Sequence, residues 1–149
     1  MADRRKPKAG QMISGTHGYL WWNGSIVYET SSFEAKIKSN RETVQFAGEM
    51  FEDSKLMSVS GEWSAKIKKI YSRAYEMAQA IKEGKDVRAT LISKLEDPDN
   101  GGTERIKLTD CWFDELTLQS FENGKIVEDE FGGGFSDFDY LDKIADPCA

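Results

Sequence analysis

Met57-Ser58-Val59-Ser60-Gly61-Glu62-Trp63-Ser64-Ala65-Lys66-Ile67-Lys68 alternates without a break. The odd positions carry Met, Val, Gly, Trp, Ala and Ile, and the even ones Ser, Glu and Lys. Successive side chains of a strand point to opposite faces, so this period of two predicts a long strand with a dry face and a wet one. Upstream, Phe33, Ala35 and Ile37 alternate with Glu34, Lys36 and Lys38, and Val44 and Phe46 follow the polar Ser39-Asn40-Arg41. These read as a second strand pair. Further back, Gly18 to Trp22 and Ser25 to Thr30 flank Asn23-Gly24, the dipeptide that best tolerates the positive φ angles of a tight type I′ hairpin.

Downstream, Ile70, Ala74, Met77, Ala78 and Ile81 recur at helical spacing. The expected helix spans about residues 71–83, with Ser72 as its cap and Lys82, Gly84 and Lys85 as its stop. Val87, Ala89, Leu91 and Leu95 then alternate with polar residues up to the turn cluster Asp97-Pro98-Asp99-Asn100-Gly101-Gly102. Thr103 to Phe113 places Ile106, Leu108 and Trp112 on one face, Leu116 and Leu118 read as the next strand, and Glu122-Asn123-Gly124 turns into Lys125 to Phe131. Gly132-Gly133-Gly134 reads as a flexible bend, after which Phe135, Phe138, Tyr140 and Leu141 form an aromatic, acidic segment that docks on the rest. The expected fold is α+β, a mainly antiparallel β-sandwich or partly closed barrel with one α-helix. Its open edges favour joining to other chains.

Composition narrows the function. The 149 residues are 39% hydrophobic and 31% charged, as in one ordinary domain. No run approaches the roughly 18 to 20 apolar residues of a membrane span, and no apolar signal core follows the basic start, so a soluble, unsecreted protein is expected. Cys111 and Cys148 are too few for a disulfide framework or a four-ligand zinc site, and fit a reducing compartment. The single histidine, His17, has no second one to pair with.

The net charge is −6, unevenly spread. Residues 1–97 carry 16 Lys or Arg against 13 Asp or Glu, and residues 98–149 carry 4 against 13. Without a long basic stripe the chain is poorly suited to gripping phosphates, the exception being Arg4-Arg5-Lys6-Pro7-Lys8, which reads as a solvated arm or a docking arm.

Phosphate-loop, dinucleotide, zinc-protease and serine-hydrolase motifs are missing. Glu128-Asp129-Glu130 with Asp137, Asp139 and Asp142 lacks the glycine and closing glutamate of a calcium loop, and reads as a solvated acidic face. Trp21, Trp22, Trp63 and Trp112 could stack on sugars, but Trp63 and Trp112 fall on apolar faces, and Trp21 and Trp22 must point opposite ways. Core or interface positions suit them better.

In this order the elements resemble the tail-tube subunit of contractile-tailed bacteriophages, of PBSX-like prophages and of contractile bacteriocins. The likeness is carried by Met12-Ile13-Ser14-Gly15-Thr16-His17-Gly18-Tyr19-Leu20-Trp21, Phe33-Glu34-Ala35-Lys36, Ala47-Gly48-Glu49-Met50 to Lys55-Leu56-Met57, and Tyr71-Ser72-Arg73 with Lys82-Glu83-Gly84-Lys85. It continues through Ser93-Lys94-Leu95-Glu96-Asp97-Pro98-Asp99, Gly102-Thr103-Glu104-Arg105-Ile106 and Phe135-Ser136-Asp137-Phe138-Asp139-Tyr140-Leu141. It covers residues 12–142, leaving a basic arm, 1–11, and a tail, 143–149; the stretch Asp3 to Lys8 and the ending Asp146-Pro147-Cys148-Ala149 depart from the family pattern.

The resemblance implies a non-enzymatic, cofactor-free subunit whose hexameric rings share an inner β-barrel. The rings stack into a hollow tube that lets phage DNA pass without specific binding. Implied partners are sheath, baseplate and tape-measure proteins, and the implied location is the virion tail, assembled in the host cytoplasm. Gly48, Glu49, Met50, Phe51, Glu52, Asp53, Ser54 and Lys55 match the loop that reaches toward the adjacent ring, with Met50 and Phe51 as anchors. Glu34, Lys36, Ser58, Ser60, Glu62 and Ser64 are the candidates for the wall of the bore, where an acidic surface would keep DNA sliding. Three other readings stay open on the residues alone: a monomeric ligand-binding β-barrel, a hydrolase built on Glu128 or Asp139, and a bacteriocin tube without DNA cargo.

Overall fold

The computed structural model describes residues 6–145; the first arginines and the ending that holds Cys148 lie outside them. The decisive alternating stretch belongs to β4 (Asp53–Lys68). It pairs antiparallel with β3 (Thr30–Val44), and the two form one long hairpin. Ser39-Asn40-Arg41 is therefore not a turn between two strands. Between Asn40, opposite Ser58, and Arg41, opposite Leu56, the register shifts by one, so Met57 of β4 is the extra, bulged residue, while the polar triplet stays in the ladder and β3 continues to Val44.

Asn23 and Gly24, at φ 49° and 87°, make the expected turn between β1 (Gly18–Trp22) and a two-residue β2 (Ser25–Ile26). The helix, α1 (Tyr75–Lys82), is shorter than its periodicity suggests. Ser72 contributes its carbonyl to the amide of Tyr75 rather than a side-chain cap. Its end follows the glycine rule: the Gly84 amide donates to Ile81 O and the Lys85 amide to Ala80 O, with Gly84 at φ 82°.

Four more strands complete the sheet: β5 (Ala89–Glu96), β6 (Thr103–Leu116), β7 (Glu128–Phe135) and β8 (Asp137–Asp142). All pairings are antiparallel, in the order β2-β1-β5-β6-β7-β4-β3, with β8 also on β6. The sheet is not closed into a barrel. Long β6 joins two layers. Its first half lies between β5 and β8, and its second half, which includes Leu116, pairs with β7; Leu118 follows outside any strand.

The bend in β6 comes at Asp110, which has φ 52° beside a register shift. The irregularity changes the parity of the strand, so Leu108 and Cys111 are both buried. Trp112 is thereby moved off the core face, contrary to the simple alternation. It lies instead over Gly134, with the Arg88 guanidinium 5.0 Å from its ring centre.

The core sits between the layers. Leu20, Trp22, Leu91, Leu108 and Cys111 face Trp63, Ala65, Ile67, Phe131 and Phe135, and Met77 of α1, with Ala74 just before the helix, closes one end. The three glycines are no flexible bend: they lie in the middle of β7, hydrogen-bonded between β4 and β6. A Cβ on Gly133 would sit 1.8 Å from Trp112 O, and one on Gly134 would sit 2.3 Å from the Trp112 ring. Close approach of backbone and aromatic side chains makes glycine necessary there. The Trp63 indole N–H fixes the junction, donating to Trp112 O at 3.2 Å and Gly134 O at 3.1 Å. Among the described residues no helix is long and apolar enough to cross a membrane.

Candidate functional site

The β3–β4 hairpin extends beyond the part of it that is buried. Its register sets Glu34 opposite Ser64, Lys36 opposite Glu62, Lys38 opposite Ser60 and Asn40 opposite Ser58. Glu34, Lys36, Ser58, Ser60, Glu62 and Ser64 therefore come together on one face, as alternation requires. Lys36 Nζ lies 3.7 Å from Glu34 and 3.9 Å from Glu62, and Lys66 lies 3.4 Å from Glu130 of β7. With Lys38, this face carries equal numbers of Lys and Glu and is charge-paired rather than acidic.

The opposite face of the hairpin changes character along its length. Near the base, Trp63, Ala65 and Ile67 are buried. Farther out Ile37 is exposed, and so are Val59 and Met57, at 55% and 59%. The apolar half of the alternating stretch is thus only partly used within the subunit. The edge of β3 away from β4 also has no strand partner among the described residues.

The connection at the far end occupies residues 45–52, so of the expected loop Gly48, Glu49, Met50, Phe51 and Glu52 lie in it, while Asp53, Ser54 and Lys55 open β4. Gly48 has φ 85°, and the Glu49 amide donates to Phe46 O at 3.1 Å. This turn holds Met50 and Phe51 outward, 93% and 89% exposed.

The other candidates separate. Asp129 is buried, 3.6 Å from Lys69, so the acidic run is not wholly a solvated face. Its neighbours Glu128 and Glu130 are exposed, as are Asp137 and Asp139 of β8. Among the described residues no group of three or more His, Cys, Asp or Glu could hold a metal ion. Trp22 and Trp63 are core residues; Trp21 points outward beside Tyr19, with the Lys94 ammonium 5.8 Å and 6.0 Å from their two ring centres. Asp97 is buried and accepts the amides of Ser14 at 2.9 Å and Asp99 at 3.0 Å. The Ser14 amide, then that of Asp99 and more weakly the His17 charge, hold its carboxyl below the ordinary range. Burial pushes the Cys111 thiol up to about 11.

A family model described as phage tail tube protein matches residues 5–142. The chain is also 32% identical over 142 residues to the phage-like element PBSX protein XkdM of Bacillus subtilis (strain 168), covering 93% of this chain and 97% of that one. The chain belongs to the phage tail tube family. A second relative, the uncharacterized protein YqbM of the same strain, is 30% identical over 140 residues, covering 92% and 95% of the two chains.

Solved structures share the fold at much lower identity. The tube-terminating cap of the anti-feeding prophage superposes with a TM-score of 0.75 at 11% identity, over 95% of this chain and 97% of that one. A chain of the PVC sheath-tube complex, an extracellular contractile injection system in its extended state, gives 0.71 at 9% identity, over 93% and 100%. Every residue of the hairpin face and its connection falls inside the family match. The resemblance read from the sequence therefore holds at the level of the family. Sequence patterning missed the length of the hairpin and the exposure of its apolar half; the unbroken alternation from Met57 was the available signal.

Proposed function

We propose that this protein is the repeating subunit of the inner tail tube of a contractile injection system. Six copies close into a ring by joining their sheets, and rings stack into a hollow conduit. In this reading the shared sheet forms an inner β-barrel, with Glu34, Lys36, Ser58, Ser60, Glu62 and Ser64 along the bore. The Gly48–Lys55 segment reaches the adjacent ring, DNA passes without specific binding, and the protein has no catalytic task. A sheath surrounds the tube, a baseplate starts it, and a tape-measure protein sets its length. The finished tube belongs to the virion tail and is assembled in the host cytoplasm.

The observation that carries this reading is the apolar strip Ile37, Val59 and Met57, left half-exposed on a hairpin with an unpaired edge. A soluble monomer gains nothing by exposing such a strip, and an open edge invites strand addition. Covering the exposed half of these three side chains contributes roughly 1 kcal/mol each. A neighbour in the ring provides that cover along with backbone partners for β3.

The test is negative-stain electron microscopy of purified protein across a concentration series, alone and with purified baseplates. Six-fold rings or hollow tubes are expected. A protein that stays monomeric and also fails to extend baseplates would refute the reading.

A further inference from the structure

The two ends of β4 carry different exposed apolar patches. At the Asp53 end, the connection presents Phe46, Met50 and Phe51. Beyond the Lys68 end, Ile70 and Tyr71 are exposed, and beside them runs the loop after β6. Lys69 holds both ends of that loop: its amide donates to Val127 O at 2.9 Å and its ammonium to Leu118 O at 3.1 Å. The loop offers Leu118, Phe121 and Ile126, each at least 70% exposed. The patches are separated by the whole of β4, roughly 50 Å at about 3.3 Å per residue. Strands of a closed barrel are tilted but keep an axial component, so in a ring the two patches fall on opposite rims.

We propose that Phe46, Met50 and Phe51 of one copy seat on the patch made by Ile70, Tyr71, Phe121 and Ile126 of a second copy in the next ring. This rests on the tube reading above and names the receiving surface for its stacking contact. The occupant is another copy because the patches are unlike, lie at opposite ends and have one direction. A contact between two unlike patches of the same molecule is heterologous, and where it does not close it builds an open filament. Size supports the same conclusion. Three large side chains offer on the order of 500 Å² of apolar surface, below the roughly 800 Å² per partner of a standard stable interface. One such contact does not hold two monomers together. Several presented at once on a closed ring do, by multivalency. Ring closure therefore precedes stacking.

The experiment compares wild-type protein with a tip variant, Met50→Asp with Phe51→Asp, and a base variant, Phe121→Asp with Ile126→Asp. Tyr71→Ser serves as a second base variant if the loop variant folds poorly by circular dichroism. Wild type is expected to form tubes, each variant to stop at single rings, and separately formed rings of the two variants to give ring pairs and nothing longer when mixed. A base variant that still makes tubes overturns the receiving patch while leaving the tube reading intact. A variant that remains monomeric places those residues in the ring contact and also overturns it. Failure of the wild type to form rings or tubes, even on baseplates, removes the tube reading and this inference with it.

Discussion

Gly133→Ala tests the junction of β6 and β7. The added Cβ would lie 1.8 Å from Trp112 O, 2.8 Å from Trp112 C and 3.0 Å from Phe113 Cα. These are backbone atoms, so no rotamer change relieves the clash; β6 must recede by about 1.6 Å to restore ordinary contact. Overpacking a tight site costs about 1–3 kcal/mol, and weakening two ladder hydrogen bonds between Trp112-Phe113 and Gly133-Gly134 adds about 1 kcal/mol each. The expected loss is about 3–5 kcal/mol, a large fraction of a domain's total stability. Gly132→Ala is the matched control, because its Cβ meets only Trp63 O, at an ordinary 3.7 Å. Urea unfolding of dilute protein reads both. With a slope of about 2 kcal/mol per molar, the Gly133 variant should lose about 2 M in midpoint and the Gly132 variant under about 0.5 M. Equal, small shifts would refute the close approach of the two strands.

Trp63→Phe removes the N–H shared by Trp112 O and Gly134 O and is expected to cost about 1–3 kcal/mol in the same assay; a loss under about 0.5 kcal/mol would mean that water serves those carbonyls equally well. The Asp97 carboxyl is held below its ordinary 3.8, so its stabilising effect is present above that pH and fades as pH falls through the lowered folded value. Asp97→Asn should be less stable at neutral pH and should lose less on acidification, which urea midpoints measured between about pH 6 and pH 2 would show. Cys111 is buried with its thiol at about 11, so iodoacetamide at about pH 8 should modify it only in urea, as peptide mass mapping would report. Glu34→Gln with Glu62→Gln removes the carboxylates beside Lys36; assembled variant tubes should retain DNA at about 50 mM salt and release it at about 200 mM, while wild-type tubes retain none at either. Identical retention would remove this face from the bore.

Local chemistry made much of the fold legible. Asn23-Gly24 specified its hairpin and Gly84 its helix end, because both depend on backbone angles that few residues tolerate. The misreadings share another cause: in each case a partner distant in sequence decides the outcome. Gly132 to Gly134 have the composition of a bend and become part of a central strand because β4 and β6 pair on either side and Trp112 fills the space that side chains at Gly133 and Gly134 would take. Ser39 to Arg41 have the composition of a turn, but all three pair with β4, and the bulge falls on Met57 opposite them. Trp112 fell on the wrong face because Asp110 adopts a positive φ that nothing in its neighbours announces. Of the candidate site, the polar face of the hairpin was readable from alternation alone. Its charge balance was not, because Lys66 meets Glu130 only through the pairing of β4 with β7.

The remaining mismatch follows a different logic. Alternation places Met57 and Val59 with Trp63 and Ile67 on one dry face, yet in the subunit the first pair is half-exposed and the second buried. For Val59 no local irregularity is responsible: it pairs with Ser39 in unbroken register with Trp63, and the shift in the outer ladder comes only beyond it, leaving Met57 unpaired between Ser58, opposite Asn40, and Leu56, opposite Arg41. As far as Val59 the backbone thus keeps the register that the pattern specifies, and only the covering layer stops. An apolar pattern maintained where the subunit offers no cover destabilises nothing if the cover comes from a neighbouring copy, and it invites aggregation if it does not. In the proposed tube the outer half of the alternating stretch is covered by the next copy: burial within one subunit tests only its inner half, and burial in the ring tests the rest.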